Sequence, residues 1–331
     1  MVFFPLDRRL KLSKHLWSPQ TIQQAVRLAV EIPSHRRAAA AFSELTGVSI
    51  TKSSLQRLCE EAGSKVVVKQ SIEAKAVVAM PKHDEEVKRK VVKPHSEVMS
   101  VSSDGVMVCL REEGWKEVKV ASISAVEASD EGVTLTHHSY RAGLWEASVY
   151  GTQLWAEACR RGLEKARTVV CVSDGAIWIW NLMFICFAYR VEILDWWHAV
   201  QRLWTIAHAR LAPDAAKVWV AQQQHALAHT HLRHVIHQVR LLYPNGAPLP
   251  PEVRQALAYL FSNRHRMRYR RFRQAGYPIG SGTVESACKV VVQQRMKQAG
   301  MRWSRHGAQA MLALRCILLS DRWHQEWLSL F

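Results

Sequence analysis

Two short stretches rich in β-branched residues stand out in the hydrophobic pattern of this chain. Val98 to Asp104 reads Val-Met-Ser-Val-Ser-Ser-Asp, and Val169 to Asp174 reads Val-Val-Cys-Val-Ser-Asp. Each pattern predicts a buried strand with a carboxylate at its tip, followed by Gly105 or Gly175, where the backbone can turn. Paired carboxylates on rigid elements suit Mg²⁺, although Asp-Gly after a strand is also ordinary hairpin chemistry.

The pattern around these stretches predicts the rest of a mixed sheet. Strand-like runs follow one another at first, and helical runs separate the later ones. The predicted strands are 98–103, 106–111, 115–126, 168–173 and 190–194, with helices at 145–166 and 177–187. This order is that of the ribonuclease-H-like α/β fold, in which the first and fourth strands are neighbours. Asp104 and Asp174 are therefore expected to lie together.

Before the sheet, the pattern predicts three short helices at 19–32, 35–45 and 50–62. Gly47 lies in the turn between the last two, as in a helix-turn-helix that places its final helix in the DNA major groove. A plain packing bundle is the alternative. Residues 1–63 are assigned to a DNA-binding domain and residues 64–96, dense in both charges, to a linker. The outward positions of the third helix are Lys52, Ser53, Gln56 and Arg57.

After Asp195 the pattern becomes helical, with runs at 196–211, 214–242 and 252–274. We assign residues 97–200 to the first part of a catalytic core, residues 201–275 to an all-α insertion and residues 276–331 to the last catalytic helix and tail. The second run carries His225, His229, His231, His234 and His237. Two of these spacings could hold a metal, but no cysteine completes a site, so an exposed polar helix is favoured.

Composition adds a class of partner. The 331 residues include 45 Lys and Arg against 28 Asp and Glu, which gives a formal net charge of +17. A chain this basic is expected to bind a polyanion, most commonly nucleic acid. The seven cysteines form no C-x-x-C pair, which is typical of reduced thiols in a cytoplasmic protein. No apolar run approaches the roughly 18 residues of a membrane span.

A third acid is expected from the stretch Gly276 to Ser286. Its glycines and Ser281 predict a tight turn, after which Glu285 lies in the first turn of a helix that extends to about residue 319, with Gly300 as a candidate break. Glu285 would then point back toward the loop. An acid at this position can also simply favour the positive end of the helix.

Several motifs resemble those of one known family. In chain order they are VSSDGVMV with GWKEVKV, VCVSDGA, ILDWWHAVQRLW and GYPIGSGTVESACKVVVQQRMKQAGMRWSRHGAQAMLALR. Together they resemble the ISKra group of bacterial insertion-sequence transposases, within the mutator-like DDE superfamily, over about residues 95–325. The resemblance implies that Asp104, Asp174 and Glu285 are the catalytic, metal-binding acids. It also places the family's Asp-x-x-His signature on Asp195 and His198, for which we favour a supporting role.

The resemblance implies DNA cleavage at transposon ends and strand transfer into target DNA, with two Mg²⁺ ions, or Mn²⁺ in their place. The expected partners are terminal inverted repeats, target DNA and at least one more copy of the chain, at the bacterial nucleoid. A nuclease without strand transfer and a non-catalytic DNA-binding regulator are the alternatives. Phosphate contacts or base stacking are expected from Arg264, Arg266, Arg268, Tyr269, Arg270, Arg271, Arg273, Arg295, Lys297, Arg302 and Trp303.

Overall fold

The molecule is built around a five-stranded mixed sheet. The computed structural model describes residues 17–79, 94–230, 232–244 and 248–329. The strands are β1 (Val98–Leu110), β2 (Gly114–Ser129), β3 (Gly132–Gly143), β4 (Thr168–Ser173) and β5 (Arg190–Leu194). Their order is β3-β2-β1-β4-β5, antiparallel from β3 to β1 and parallel from β1 to β5. The predicted α/β class and the predicted contact between the first and fourth strands are confirmed.

The first and third strands differ from their predictions. β1 runs without a turn through Asp104 and Gly105, which pair with Val120 and Lys119 of β2. The predicted break at Gly105 was wrong because β2 continues the hydrogen-bonded ladder past this point. β3 was not predicted, since much of its sequence is polar and only its second half is well buried, as in an edge strand.

Helices cover both faces of the sheet. In chain order they are α1 (Pro19–Glu31), α2 (His35–Thr46), α3 (Lys52–Ala79), α4 (Ala147–Arg160), α5 (Ile177–Cys186), α6 (Trp196–His208), α7 (Pro213–His229), α8 (Leu232–Leu242), α9 (Pro251–Ser262), α10 (Tyr269–Gln274), α11 (Gly282–Ala287), α12 (Arg305–Leu319) and α13 (Trp323–Leu328). α11 continues through a π-helical segment (Cys288–Gln293) and a last turn (Gln294–Met296), and the name α11 is used below for this whole run. In the described part of the chain, none of the helices is long and apolar enough to cross a membrane.

The third helix is longer than its sequence pattern predicts. α3 continues through Gly63 to Ala79, with Val66, Gln70 and Ala74 buried along it. A Cβ atom at Gly63 would lie 2.5 Å from the carbonyl oxygen of Ala310 in α12, so this glycine permits a close helix crossing. The prediction that the helix ends before Gly63 and gives way to a linker was therefore wrong. The charged stretch 80–93 lies outside the described residues.

The two faces of the sheet have separate apolar cores, and β1 contributes to both. Met99 and Val101 face the core that contains helices α4 to α10. Val106 and Val108 face the core that contains α1, α2, α3, α11 and α12. Because alternate strand residues point to opposite faces, the change from odd to even apolar positions transfers β1 from one core to the other around Asp104. The three N-terminal helices therefore share a core with the sheet, and their helix-turn-helix role stays a prediction.

The helices of the C-terminal half are interrupted more often than predicted. α7 and α8 separate at Thr230, and a short 3₁₀ turn (Arg264–Arg266) precedes α10. The helix expected to reach residue 319 is interrupted between α11 and α12, where Gly300 has a φ of 71°. In this break Trp303 forms a β-bridge with Leu110 at the end of β1. This connection thereby ties the C-terminal end of α11 to the sheet.

Candidate active site

Two neighbouring parallel strands bring Asp104 and Asp174 to the same part of the sheet. The paired positions of β1 and β4 run from Val98 opposite Thr168 to Ser102 opposite Val172. The two aspartates lie two residues beyond that last pair, one on each chain segment. Burial raises the pKa of the Asp104 carboxyl, the Gly105 N–H lowers it, and the negative charge of Asp174 raises it again, for a net upward shift.

Each aspartate is fixed by the backbone beside it. The Gly105 N–H donates to Asp104 Oδ1 at 2.7 Å, and the thiol of Cys288 on α11 donates to Asp104 Oδ2 at 3.6 Å. The Ala176 N–H donates to Asp174 Oδ1 at 2.9 Å. Neither carboxylate is enclosed, since both residues are only half-buried. Each carboxylate therefore has more lone-pair positions than these hydrogen bonds use.

Gly175 sets the turn that follows Asp174. Its φ is 95°, in the left-handed region that favours glycine, and a Cβ atom there would lie 2.7 Å from the Tyr259 hydroxyl oxygen. That hydroxyl donates to the Asp174 carbonyl oxygen. The role predicted for this glycine in turning the backbone is confirmed, and α9 of the helical insertion supports the turn through Tyr259.

Asp195 is buried and accepts four hydrogen bonds. Oδ1 accepts from the His198 backbone N–H at 2.9 Å and lies 2.8 Å from His198 Nδ1. Oδ2 accepts from the Ser281 N–H at 2.7 Å and from the Ser281 hydroxyl at 3.0 Å. Burial alone would raise the pKa of Asp195, but these hydrogen bonds outweigh it and hold the pKa below its usual value. The residue caps α6 and clamps the loop before α11 to it.

Glu285 and His198 lie beside Asp195 and complete the group of candidate metal ligands. Ser281 Oγ lies 3.3 Å from Glu285 Oε1, so one serine links Glu285 to Asp195. One ligand atom each from Asp195, His198 and Glu285 lies within 4.8 Å of the other two, a spacing that could hold a metal ion. The hydrogen bond to Asp195 raises the pKa of His198, burial opposes it, and the charges of Asp195, Asp174 and Glu285 raise it further.

The donors of this site are unequal as metal ligands. A carboxylate has about four lone-pair positions, and those of Asp195 are already committed to four donors. Glu285 is exposed, and Asp104 and Asp174 each retain open positions. Oxygen donors of this kind fit a hard divalent cation. The hydrogen bonds of Asp195 thus assign it to bracing, whereas Asp104, Asp174 and Glu285 keep open positions. The group of ligand atoms within 4.8 Å of one another contains Glu285 but neither Asp104 nor Asp174.

Most basic candidates for DNA contact lie at the surface. The exposed ones are Arg264, Arg268, Arg270, Arg271, Arg273, Lys297 and Arg302, and Lys52, Ser53 and Arg57 of α3 are exposed as well. Gln56 is half-buried and donates to Glu60 Oε1 at 2.9 Å. Arg266 is also half-buried, at 2.6 Å from Glu192 Oε2. The DNA contacts of these residues stay a prediction.

Three of the predicted nucleic-acid contacts are buried. Arg295 is 1% exposed and donates to the Ala29 carbonyl, and Trp303 is 8% exposed with its indole N–H on the Met296 carbonyl. Tyr269 is fully buried and donates to the Leu194 carbonyl. The expectation that Trp303 and Tyr269 stack on bases was wrong, because packing between remote segments encloses both rings. Arg295 is enclosed as well, and its predicted phosphate contact stays a prediction.

The histidine cluster shows no metal geometry among the described residues. The rings of His225 and His229 on α7 are tilted by 43° with centroids 4.5 Å apart, and His234 and His237 lie on α8 after the break at Thr230. His231 lies outside the described residues. The one group of potential metal ligands found in the described ranges is at Asp195, His198 and Glu285.

Sequence reasoning missed three residues that shape the site. Ser281 was interpreted only as part of a turn, yet it joins Asp195 to Glu285. Cys288 lies one helical turn after Glu285, a spacing that could have indicated a shared face. Tyr259 had no local signal, since it reaches Asp174 from the helical insertion.

No known protein family matches this chain, and no curated protein matches its sequence. The functional argument therefore rests on the geometry above and on the sequence motifs.

Proposed function

We propose that this protein is a metal-dependent DNA-processing enzyme of the DDE type, a transposase that cleaves transposon ends and joins them to target DNA. The observation that carries the proposal is that Asp104 and Asp174 follow paired positions of adjacent parallel strands, while Glu285 lies 3.3 Å from Ser281 Oγ, which also donates to Asp195. The strand order β3-β2-β1-β4-β5 supports the ribonuclease-H-like sheet that the sequence predicts. The motifs that resemble ISKra-group transposases support the same reading.

The chemistry follows from the oxygen donors. Two Mg²⁺ or Mn²⁺ ions at such a site would supply the positive charge that activates a water or DNA 3′-hydroxyl and stabilises the leaving oxygen of the phosphodiester. Asp104, Asp174 and Glu285 would hold the ions. Asp195 binds Ser281 and so holds Glu285 in register with the two aspartates, and it orients the His198 ring through Nδ1. His198 Nε2 is then the nitrogen left to face the acids or a bound phosphate.

The exposed arginines between α9 and α11 support DNA as the partner. Arg268, Arg270 and Arg271 are exposed in the stretch that leads from Tyr259, which contacts Asp174, to the loop that carries Ser281. Cations there would neutralise DNA phosphates beside the acids without reading sequence. Two DNA ends must be brought together for transposition, so we include a dimer or larger assembly acting on nucleoid DNA in the bacterial cytoplasm.

The test uses purified protein with Mg²⁺ and a DNA fragment that carries the sequences flanking its own reading frame. We expect end cleavage, and strand transfer from pre-cleaved ends into plasmid DNA. Asp104→Asn, Asp174→Asn and Glu285→Gln should each lower both activities by about 10³-fold or more, since metal-based charge stabilisation is worth several kcal/mol. EDTA should abolish both.

The matched control is Asp130→Asn, which removes an exposed carboxylate at the turn between β2 and β3. It should leave both activities unchanged. Cleavage without strand transfer would favour the simple nuclease. DNA binding with no metal-dependent cleavage, unaffected by Asp104→Asn, would contradict the enzyme and favour the non-catalytic regulator.

A further inference from the structure

A polar cavity lies at the opposite end of α11 from Glu285. Its volume is about 270 Å³, and its charged lining comes from Lys52, Glu60, Arg111, Arg295 and Arg302. Four of these five groups are cationic. The carboxylate of Glu60 accepts a hydrogen bond from Gln56 at 2.9 Å, which partly occupies it. The cavity therefore presents a net positive lining on a segment where the mechanism proposed above uses no residue.

Arg295 gives this cavity a buried cation. Its Nε donates to the Ala29 carbonyl at 2.8 Å, and a terminal nitrogen lies 3.1 Å from His35 Nε2. Burial lowers the pKa of the Arg295 guanidinium to about 10, so the group remains charged at neutral pH. No carboxylate in the described part of the chain forms an ion pair with it. A buried cation without an acid is costly unless a ligand supplies the negative charge.

Three helices begin at this cavity. Its lining includes Ser34, the N-cap of α2, and Ser304, the N-cap of α12, together with Lys52, the first residue of α3. The N-terminal end of a helix carries a partial positive charge and unpaired N–H groups, both of which favour an anion. These partial charges add to the side-chain charges of Lys52, Arg111 and Arg302.

We propose that this cavity binds one backbone phosphate of DNA, which places a phosphate contact between the N-terminal helices and the body of the protein. DNA as the source of the phosphate rests on the proposed function, whereas the anion site itself rests on the cavity. Arg295 lies ten residues after Glu285, about 15 Å along a helix. That span equals about four nucleotides of one strand at 3.4 Å each, so a single DNA molecule can reach both places.

The experiment measures DNA affinity in EDTA over a series of salt concentrations, which removes cleavage from the readout. Variants are Lys52→Ala, Arg302→Ala and the double substitution, each of which removes an exposed cation. We expect the double variant to bind about tenfold more weakly, the value of a charged hydrogen bond. Its plot of log affinity against log salt should become shallower by about 0.9, the slope of one phosphate contact.

The control is Lys217→Ala, which removes an exposed lysine on α7 far along the chain and should change neither quantity. A slope change of about 1.8 in the double variant would overturn the single shared phosphate. A slope equal to that of Lys217→Ala, or no DNA binding by the wild type, would overturn the proposal altogether.

A second arm uses inorganic phosphate alone. Phosphate at constant ionic strength should raise the melting temperature of the wild type and of Lys217→Ala relative to chloride, and the double variant should lose this response. An equal response in all three proteins would contradict an anion site in the cavity. Loss of cleavage in Asp104→Asn tests the proposed function separately. The anion site and the proposed enzymatic activity can therefore be contradicted independently.

Discussion

The two ends of α11 handle buried charge in opposite ways. At the N-terminal end, the negative Asp195 is surrounded by N–H and O–H donors from His198 and Ser281. At the C-terminal end, the positive Arg295 and Arg315 donate to backbone carbonyls, among them Ala29, Val30 and Val291. His198 lies 2.8 Å from Asp195 and adds a positive charge when it is protonated, whereas backbone carbonyls accept from Arg295 and Arg315. The charge at the C-terminal end is therefore less neutralised than the charge at the N-terminal end.

A buried carboxylate elsewhere in the molecule is neutralised by several ion pairs, unlike the charges at the ends of α11. Glu157 on α4 is fully buried within reach of Arg141, Arg160 and Arg322, at 3.0, 3.8 and 2.9 Å. Burial would raise its pKa, but the three guanidinium groups outweigh it and lower the pKa of Glu157 to about 2. Here several charges of both signs neutralise one another, so the network joins α4 to β3 and the C-terminal segment without offering a ligand site. The ends of α11 differ because backbone and hydroxyl dipoles, with His198 at one end, take the place of such a network.

The largest effect in this comparison should come from Asp195→Ala. The substitution leaves the N–H groups of His198 and Ser281 buried without an acceptor, and we expect a loss of about 3 kcal/mol in the free energy of unfolding. Urea unfolding at pH 7 measures it. Because the folded pKa of Asp195 lies below its ordinary value, the difference between wild type and variant should be full above pH 4 and shrink as the pH falls through the folded pKa.

The control for Asp195→Ala is Asp214→Ala, which removes an exposed acid in the first turn of α7. Its cost should be below about 0.5 kcal/mol. Equal costs for the two variants would contradict the bracing role of Asp195. A loss of cleavage in Asp195→Ala at a temperature where it stays folded would support the positioning of Glu285.

A smaller effect is expected for Arg315→Met at the other end of α11. Arg315 is 4% exposed and donates to the carbonyls of Val30, Val290 and Val291. A methionine fills similar volume but leaves these acceptors unpaired, so we expect about 1 to 2 kcal/mol of destabilisation in urea. Arg27→Met, at an exposed pair with Glu31, is the control and should cost less than about 0.5 kcal/mol. A cost above that of Asp195→Ala would reverse the comparison.

The smallest effect has the opposite sign. Burial disfavours the charged form of Asp104 and the charge of Asp174 adds repulsion. Asp104→Asn removes both effects, and we expect it to stabilise the metal-free protein by about 0.5 kcal/mol after solvent screening at this half-buried position. Melting curves in EDTA measure the change, with Asp130→Asn as the unshifted control. Because the folded pKa of Asp104 is raised, the gain should appear at neutral pH and vanish as the pH falls below the ordinary value of 3.8. Destabilisation at neutral pH would contradict the repulsion.

Local pattern predicted the parts of the fold that depend on neighbouring residues. The bounds of β4 and β5 match their predictions, because short β-branched runs flanked by turn residues have few other solutions. The pairing of β1 with β4 followed from the order of elements. The length of α3 did not follow, since a glycine that usually ends a helix is retained here by its contact with Ala310.

The charged residues also show the difference between what local sequence predicts and what the packing of remote segments decides. Lys297 and Arg295 lie two positions apart in one basic stretch, yet Lys297 is exposed and Arg295 is buried beneath α1. Sequence alone predicted both as DNA contacts, because charge patterns give composition but not the segment that packs above each residue. Ser281 and Asp195 show what the tertiary structure adds, since they are 86 residues apart in sequence and form a direct hydrogen bond.

Short patterns of apolar, turn and capping residues predicted where Asp104, Asp174 and Glu285 lie along the strands and the helix, although β1 continues past Asp104. Which charges are braced and which remain open depends on the packing of remote segments. Secondary structure depends on forces between near neighbours along the chain, whereas burial and hydrogen bonding of a charge depend on segments that packing brings from far away.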